Sequence, residues 1–121
     1  MKFPIDLNVF KTLKFSTSQS ELTDEQAAQL QTNIDVVRDS IIFFTAYANT
    51  KGLGGHTGGA YDIVPELLII DAFVKGSDTI YPVFFDEAGH RVAIQYMMAV
   101  INGYKPSEAL LHYREFESGL Y

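Results

Sequence analysis

Histidines set among glycines are the part of this sequence best suited to chemistry. His56 stands inside Lys51-Gly52-Leu53-Gly54-Gly55-His56-Thr57-Gly58-Gly59-Ala60-Tyr61-Asp62, where five of the nine glycines fall within eight positions. An imidazole can donate or accept a proton under physiological conditions. Glycines on either side let the main chain take conformations closed to other residues and approach a guest closely. A second pair, Gly89-His90, opens another apolar run, with His90 34 residues beyond His56. Together the two pairs point to a cofactor site. The same residues also suit a plain interhelical connection in which His56 only caps a helix. Each glycine costs roughly 0.5–1 kcal/mol relative to alanine in a regular element, so a mere connector could be built with fewer.

Other candidate chemistry is weaker. Asp86 precedes His90 by four residues and would share a helix face with it, so a small metal-dependent enzyme using Asp86 and His90 is one option. Asp86 and Glu87 equally suit the positive end of a helix dipole, and one carboxylate–histidine pair falls short of the ligands a zinc site needs. No metal ligands are therefore assigned. His112, between Leu111 and Tyr113, reads as an edge-of-core residue. No nucleophile elbow is present to make a Ser-His-Asp arrangement.

The elements that must position these residues are mostly helical. Residues 1–22 alternate without a clear period and read as an irregular arm docking through Phe3, Leu7, Phe10, Leu13 and Phe15. Thr23-Asp24-Glu25-Gln26 has capping-box form, and Leu30, Ile34, Val37, Ile41, Phe44 and Ala48 then recur at helical spacing. Ile42 and Phe43 widen that stripe, which predicts a helix buried on most sides in its second half. A second helix is predicted from Ala60 to Lys75, with Pro65 tolerable only near its first turn. The β-branched and aromatic run Thr79-Ile80-Tyr81-Pro82-Val83-Phe84-Phe85 predicts a strand. A third helix follows Gly89-His90 and closes at Asn102-Gly103, and a short last helix starts near Pro106. The glycine run thus lies between two helices. It lacks the preceding strand of a dinucleotide fingerprint and the Gly-Lys-Ser/Thr of a P-loop.

With 121 residues the chain forms one domain over 1–121. Hydrophobic residues make up 47%, which excludes a disordered tail. The formal charge of −6, with Lys11 and Lys14 the densest basic cluster, argues against nucleic-acid binding. The longest uncharged apolar run, Ser40 to Thr50, is too short to span a membrane. No secretory leader is evident and there is no cysteine, so the expectation is a soluble cytoplasmic protein. Many large aromatic side chains in a small acidic domain suggest that part of the surface is buried against another chain.

Two motifs carry a family resemblance. Gly54-Gly55-His56-Thr57-Gly58-Gly59 followed by a helix, then Phe85-Asp86-Glu87-Ala88-Gly89-His90 and a helix ending at Gly103-Tyr104, resembles the transketolase family at the start of its thiamine diphosphate-binding domain. Homodimeric pyruvate dehydrogenases are similar here too. The resemblance covers residues 34 to 121. It implies that His56 and His90 are catalytic, lining the channel above the thiazolium ring and assisting proton transfers on the donor substrate. It also implies that Gly55, His56, Gly58 and His90 contact the cofactor. Two positions depart from the pattern. Thr57 replaces a common proline, and Glu87-Ala88 replaces the usual pair before the second Gly-His.

The resemblance further implies thiamine diphosphate and Mg²⁺, held in relatives by a G-D-G…N motif and completed by a glutamate across a dimer interface. Neither is found in these 121 residues, and Gly76-Ser77-Asp78 lacks the motif. The expectation is a truncated or split transketolase-like module, inactive alone and without tight cofactor binding. Its partners would be a second copy or the remaining part of a split enzyme, with a sugar phosphate or keto acid as substrate. The alternative is a non-catalytic helical interaction or self-association module. The expected fold is mainly α with one or two short strands, part of an α/β fold with a parallel sheet in full-length relatives.

Overall fold

A computed structural model describes residues 1–83, 86 and 89–120. Its centre is helix α1 (Asp24–Thr50), against which α2 (Gly58–Asp62), α3 (Val64–Gly76), α4 (Val92–Ile101) and a 3-10 helix (Ser107–His112) pack. The start of α1 is fixed by the capping box. The Thr23 hydroxyl accepts from the Gln26 amide at 3.1 Å while the Gln26 side chain accepts from the Thr23 amide at 3.0 Å. These two bonds satisfy donors that a helix start otherwise leaves orphaned. Leu30, Ile34, Val37, Ile41, Phe44 and Ala48 are all buried, as their spacing predicts. Burial does not extend round the second half of α1, however. Ile42 is 47% exposed, and Phe43 is only partly buried, between Phe3 and Tyr47.

Helices α1 and α4 end in the same way. Gly52 (φ +76°) and Gly103 (φ +79°) occupy the left-handed position just past the helix. Their amides reach Asn49 O and Val100 O, while the next amides, of Leu53 and Tyr104, reach back to Ala48 O and Ala99 O. This paired pattern is the Schellman motif, which glycine serves without steric penalty.

The helix expected from Ala60 to Lys75 is two helices. It begins earlier, at Gly58, and breaks at Ile63 because Pro65 has no amide to donate to Tyr61 O. Pro65 instead sits in the first turn of α3. The carbonyl it leaves accepts from Arg38 Nε at 3.3 Å, and the Arg38 guanidinium lies 4.5 Å from the centre of the Tyr61 ring.

The predicted strand is a correction. Among the described residues there is no strand, and the fold is helical. Residues 78–80 and 82 make bends, with Tyr81 80% and Val83 65% exposed. Strand propensity needs a neighbouring edge to pair with, and Pro82 removes a donor. The Ser77 hydroxyl also accepts from the Thr79 amide at 3.1 Å, holding the segment in a local turn. Phe84 and Phe85 lie outside the described residues.

The N-terminal arm holds to α1 and α3 by specific contacts. Asn33, 2% exposed, pairs with the Lys11 backbone on both sides: its Nδ2 donates to Lys11 O at 2.8 Å and its Oδ1 accepts from Lys11 N at 3.1 Å. Phe15 is buried against Phe73, and its amide donates to Ala72 O at 2.9 Å. Phe3, Leu7, Phe10 and Leu13 pack on the core from outside. Among the described residues, no helix is long and apolar enough to cross a membrane.

Candidate functional site

The segment carrying His56 is anchored at both ends. Behind it lies the Schellman cap at Gly52 and Leu53. Ahead of it, the Thr57 hydroxyl lies 2.9 Å from that of Thr45 on α1. Between these anchors, Gly55 runs over the ring of Tyr113, where an added methyl would make ordinary contact at 4.0 Å. Tyr113 is itself held edge-on by Phe44 and Tyr96. Burial pushes its phenol pKa up, Arg114 opposes that shift and Tyr96 adds to it. His56 stands exposed on this loop.

His90 comes to the other end of the glycine run. A side chain at Gly59 would meet His90 Cδ2 at 2.4 Å, His90 Nε2 at 3.2 Å and Arg91 Cγ at 3.5 Å. A side chain there would push the exposed imidazole aside, so glycine is what lets the ring lie against the first turn of α2. His90 remains exposed and lines an open cleft of 340 Å³ with Gly59, Asp62, Ile63, Glu66 and Arg91. The structure therefore joins the two glycine–histidine motifs through Gly59 and His90, and His56 is not among the residues of that cleft. Gly55 has only the distant Tyr113 contact, and Gly58 faces open space. The sequence pointed to Gly55 and Gly58 rather than Gly59, because the helical phase that turns Gly59 toward His90 is a tertiary property.

Asp86 faces Arg91, with Oδ2 3.4 Å from Nη1. Among the described residues no three His, Cys, Asp or Glu side chains converge to hold a metal ion. His112 is no edge-of-core residue, because its side chain is 59% exposed and its Nδ1 lies 2.7 Å from Glu115 Oε2.

Glu115 is the centre of a charged cluster that the sequence did not reveal. Lys51 Nζ donates to Glu115 Oε1 at 2.6 Å and to Leu111 O at 2.5 Å, and lies 4.2 Å from the centre of the Tyr47 ring. The hydrogen bond from Lys51, and next that from His112, hold the Glu115 carboxyl below its ordinary value. On another face, Leu67, Ile70, Val74, Ile80, Pro82 and Met98 line an apolar groove of 360 Å³.

Compared with known proteins, the chain finds no counterpart. No family model, no curated protein and no solved structure matches it. The functional reading rests on the geometry and on the two motifs.

Proposed function

We propose that this chain supplies the substrate-side wall of a thiamine diphosphate-dependent ketol- or acyl-transfer site of the transketolase kind. The observation that carries the reading is the close approach of Gly59 and His90. Two motifs that resemble one family's substrate channel meet in space at a glycine that no other residue could replace without displacing the imidazole.

The cofactor's own anchor does not fit these residues. The cleft beside His90 presents the carboxylates of Asp62 and Glu66, and the guanidinium of Arg91 is turned toward Asp86. Such a lining repels a diphosphate, and no cluster of metal ligands stands among the described residues. The chemistry assigned to this chain is therefore confined to the exposed imidazoles of His56 and His90. Each would orient a donor substrate's oxygen and take or return its proton.

Calorimetry and kinetics test this. The isolated chain is expected to give no binding of thiamine diphosphate with magnesium at micromolar concentrations, and micromolar binding would overturn the reading. When the chain is joined to a segment supplying G-D-G…N and the activating glutamate, it is expected to support transfer from a sugar phosphate or keto acid. His56→Ala and His90→Ala should then each lower turnover by about 10²-fold or more, the usual worth of a positioned acid–base group. Unchanged turnover in both variants would refute it.

A further inference from the structure

We propose that Thr45 positions the His56 loop, acting through the hydroxyl of Thr57. The proposal rests on the reading of His56 as a substrate-facing group. Thr45 lies on the core side of α1, one turn beyond Ile41, where an apolar side chain would be the ordinary choice, and it is 2% exposed. Its hydroxyl is 2.7 Å from Ile41 O and 3.2 Å from Ile42 O. Carbonyl oxygens only accept, and either hydroxyl of the 2.9 Å Thr45–Thr57 pair can be its donor; when the Thr45 proton goes to Ile41 O, Thr57 donates to Thr45.

Thr57 gives up an ordinary role to make this bond. It precedes α2 at the cap position, where a threonine hydroxyl usually accepts from a backbone amide in the first turn. Here it makes no such bond, and its backbone is already helical, at φ −81° and ψ −31°. The hydroxyl faces the buried side of α1 instead. Between this clip and the Schellman cap at Leu53 lie only Gly54, Gly55 and His56. Two glycines do little to fix the imidazole by themselves. The clip closes one end of a three-residue bridge whose other end is already fixed, and so sets where His56 stands.

Amide exchange and ¹⁵N relaxation on the whole chain test the proposal without cofactor or substrate, so failure of the clip and failure of the proposed function are read by separate measurements. The Tyr61 amide is the first probe, because it donates to Thr57 O at 3.0 Å. Thr57→Val keeps the shape and removes the hydroxyl. It is expected to speed Tyr61 exchange about fivefold, the worth of one net hydrogen bond, and to increase fast motion at Gly54 to His56. Thr45→Val should loosen the loop to the same extent, the double variant no further, and Thr57→Ser should restore wild-type behaviour. Unchanged loop motion in Thr57→Val, or additive effects in the double variant, would overturn the proposal. Loss of the whole fold in Thr57→Val would also overturn it, since the bond would then hold the core and not the loop.

Discussion

A single methyl group at Gly76 tests how the N-terminal arm is held. Gly76 is the last residue of α3 and its φ lies outside the left-handed region, so alanine there would normally strengthen the helix by about 0.5–1 kcal/mol. The arm reverses that sign. A Cβ on Gly76 would stand 2.1 Å from Phe15 O, 2.7 Å from Phe15 N and 2.8 Å from Phe15 C, all backbone atoms with no rotamer to escape into. The arm must withdraw by more than an ångström. That movement breaks the bond from Phe15 N to Ala72 O, worth about 1 kcal/mol net. It also draws the Phe15 ring, 1% exposed, from its place against Phe73. Full burial of such a side chain contributes about 1.5–3 kcal/mol. The loss is capped at what this contact contributes, because the chain can relieve the clash by undocking. Gly76→Ala should therefore cost about 2–4 kcal/mol in urea unfolding followed by helical circular dichroism. Trypsin should cut faster after Lys11 and Lys14. In a Phe15→Ala background, where the arm has already lost its anchor, the further cost of Gly76→Ala should shrink towards zero. A Gly76→Ala chain as stable as wild type, with unchanged cleavage in the arm, would refute the reasoning.

Two other perturbations probe the contacts that close the fold. Asn33→Ala removes both bonds to the Lys11 backbone and should cost about 1–3 kcal/mol in the same urea assay, again with faster tryptic cutting in the arm. Glu115→Gln tests the charged cluster through pH. The Glu115 carboxyl is held below its ordinary 4.5 by Lys51 and then His112, so the folded state gives up this proton more readily than the unfolded chain. The stabilisation is present above about pH 4.5 and lost as pH falls through the lower folded value. Melting temperatures of wild type and Glu115→Gln should thus differ at neutral pH and converge in strong acid, and a difference that persists there would sink the assignment.

What could be read from the sequence follows the range of each signal. The start of α1 was legible because the capping box lies within four residues, and its core face because the apolar spacing repeats over the whole helix. Gly52 and Gly103 marked helix ends by the same local logic. Pro65 was legible as a residue confined to a first turn, yet the split at Ile63 was not drawn, because the bond that Pro65 cannot make is judged against Tyr61 four residues back. The strand was wrong over the described residues 79–83, since Thr79 to Val83 carry the right side chains but have no neighbouring edge. The contact of Gly59 with His90 was not legible, and His56 stands outside the cleft that His90 lines. Lys51 and Glu115 meet across 64 residues, and Asn33 meets Lys11 across 22, with no pattern in either segment to announce the partner.

The glycines of the run now separate into different roles. Gly52 is favoured by its positive φ, a demand of the fold, while Gly59 gives room to the exposed imidazole lying against it. Gly54 and Gly58 are different, because a side chain at either would meet nothing within 4 Å and neither has a left-handed backbone. Alanine would fit there and would reduce the entropy lost on folding. The density that first drew attention to this segment is thus only partly a matter of architecture. Its unexplained part lies on the two sides of His56, where a guest approaching the imidazole would meet main chain and not side chain.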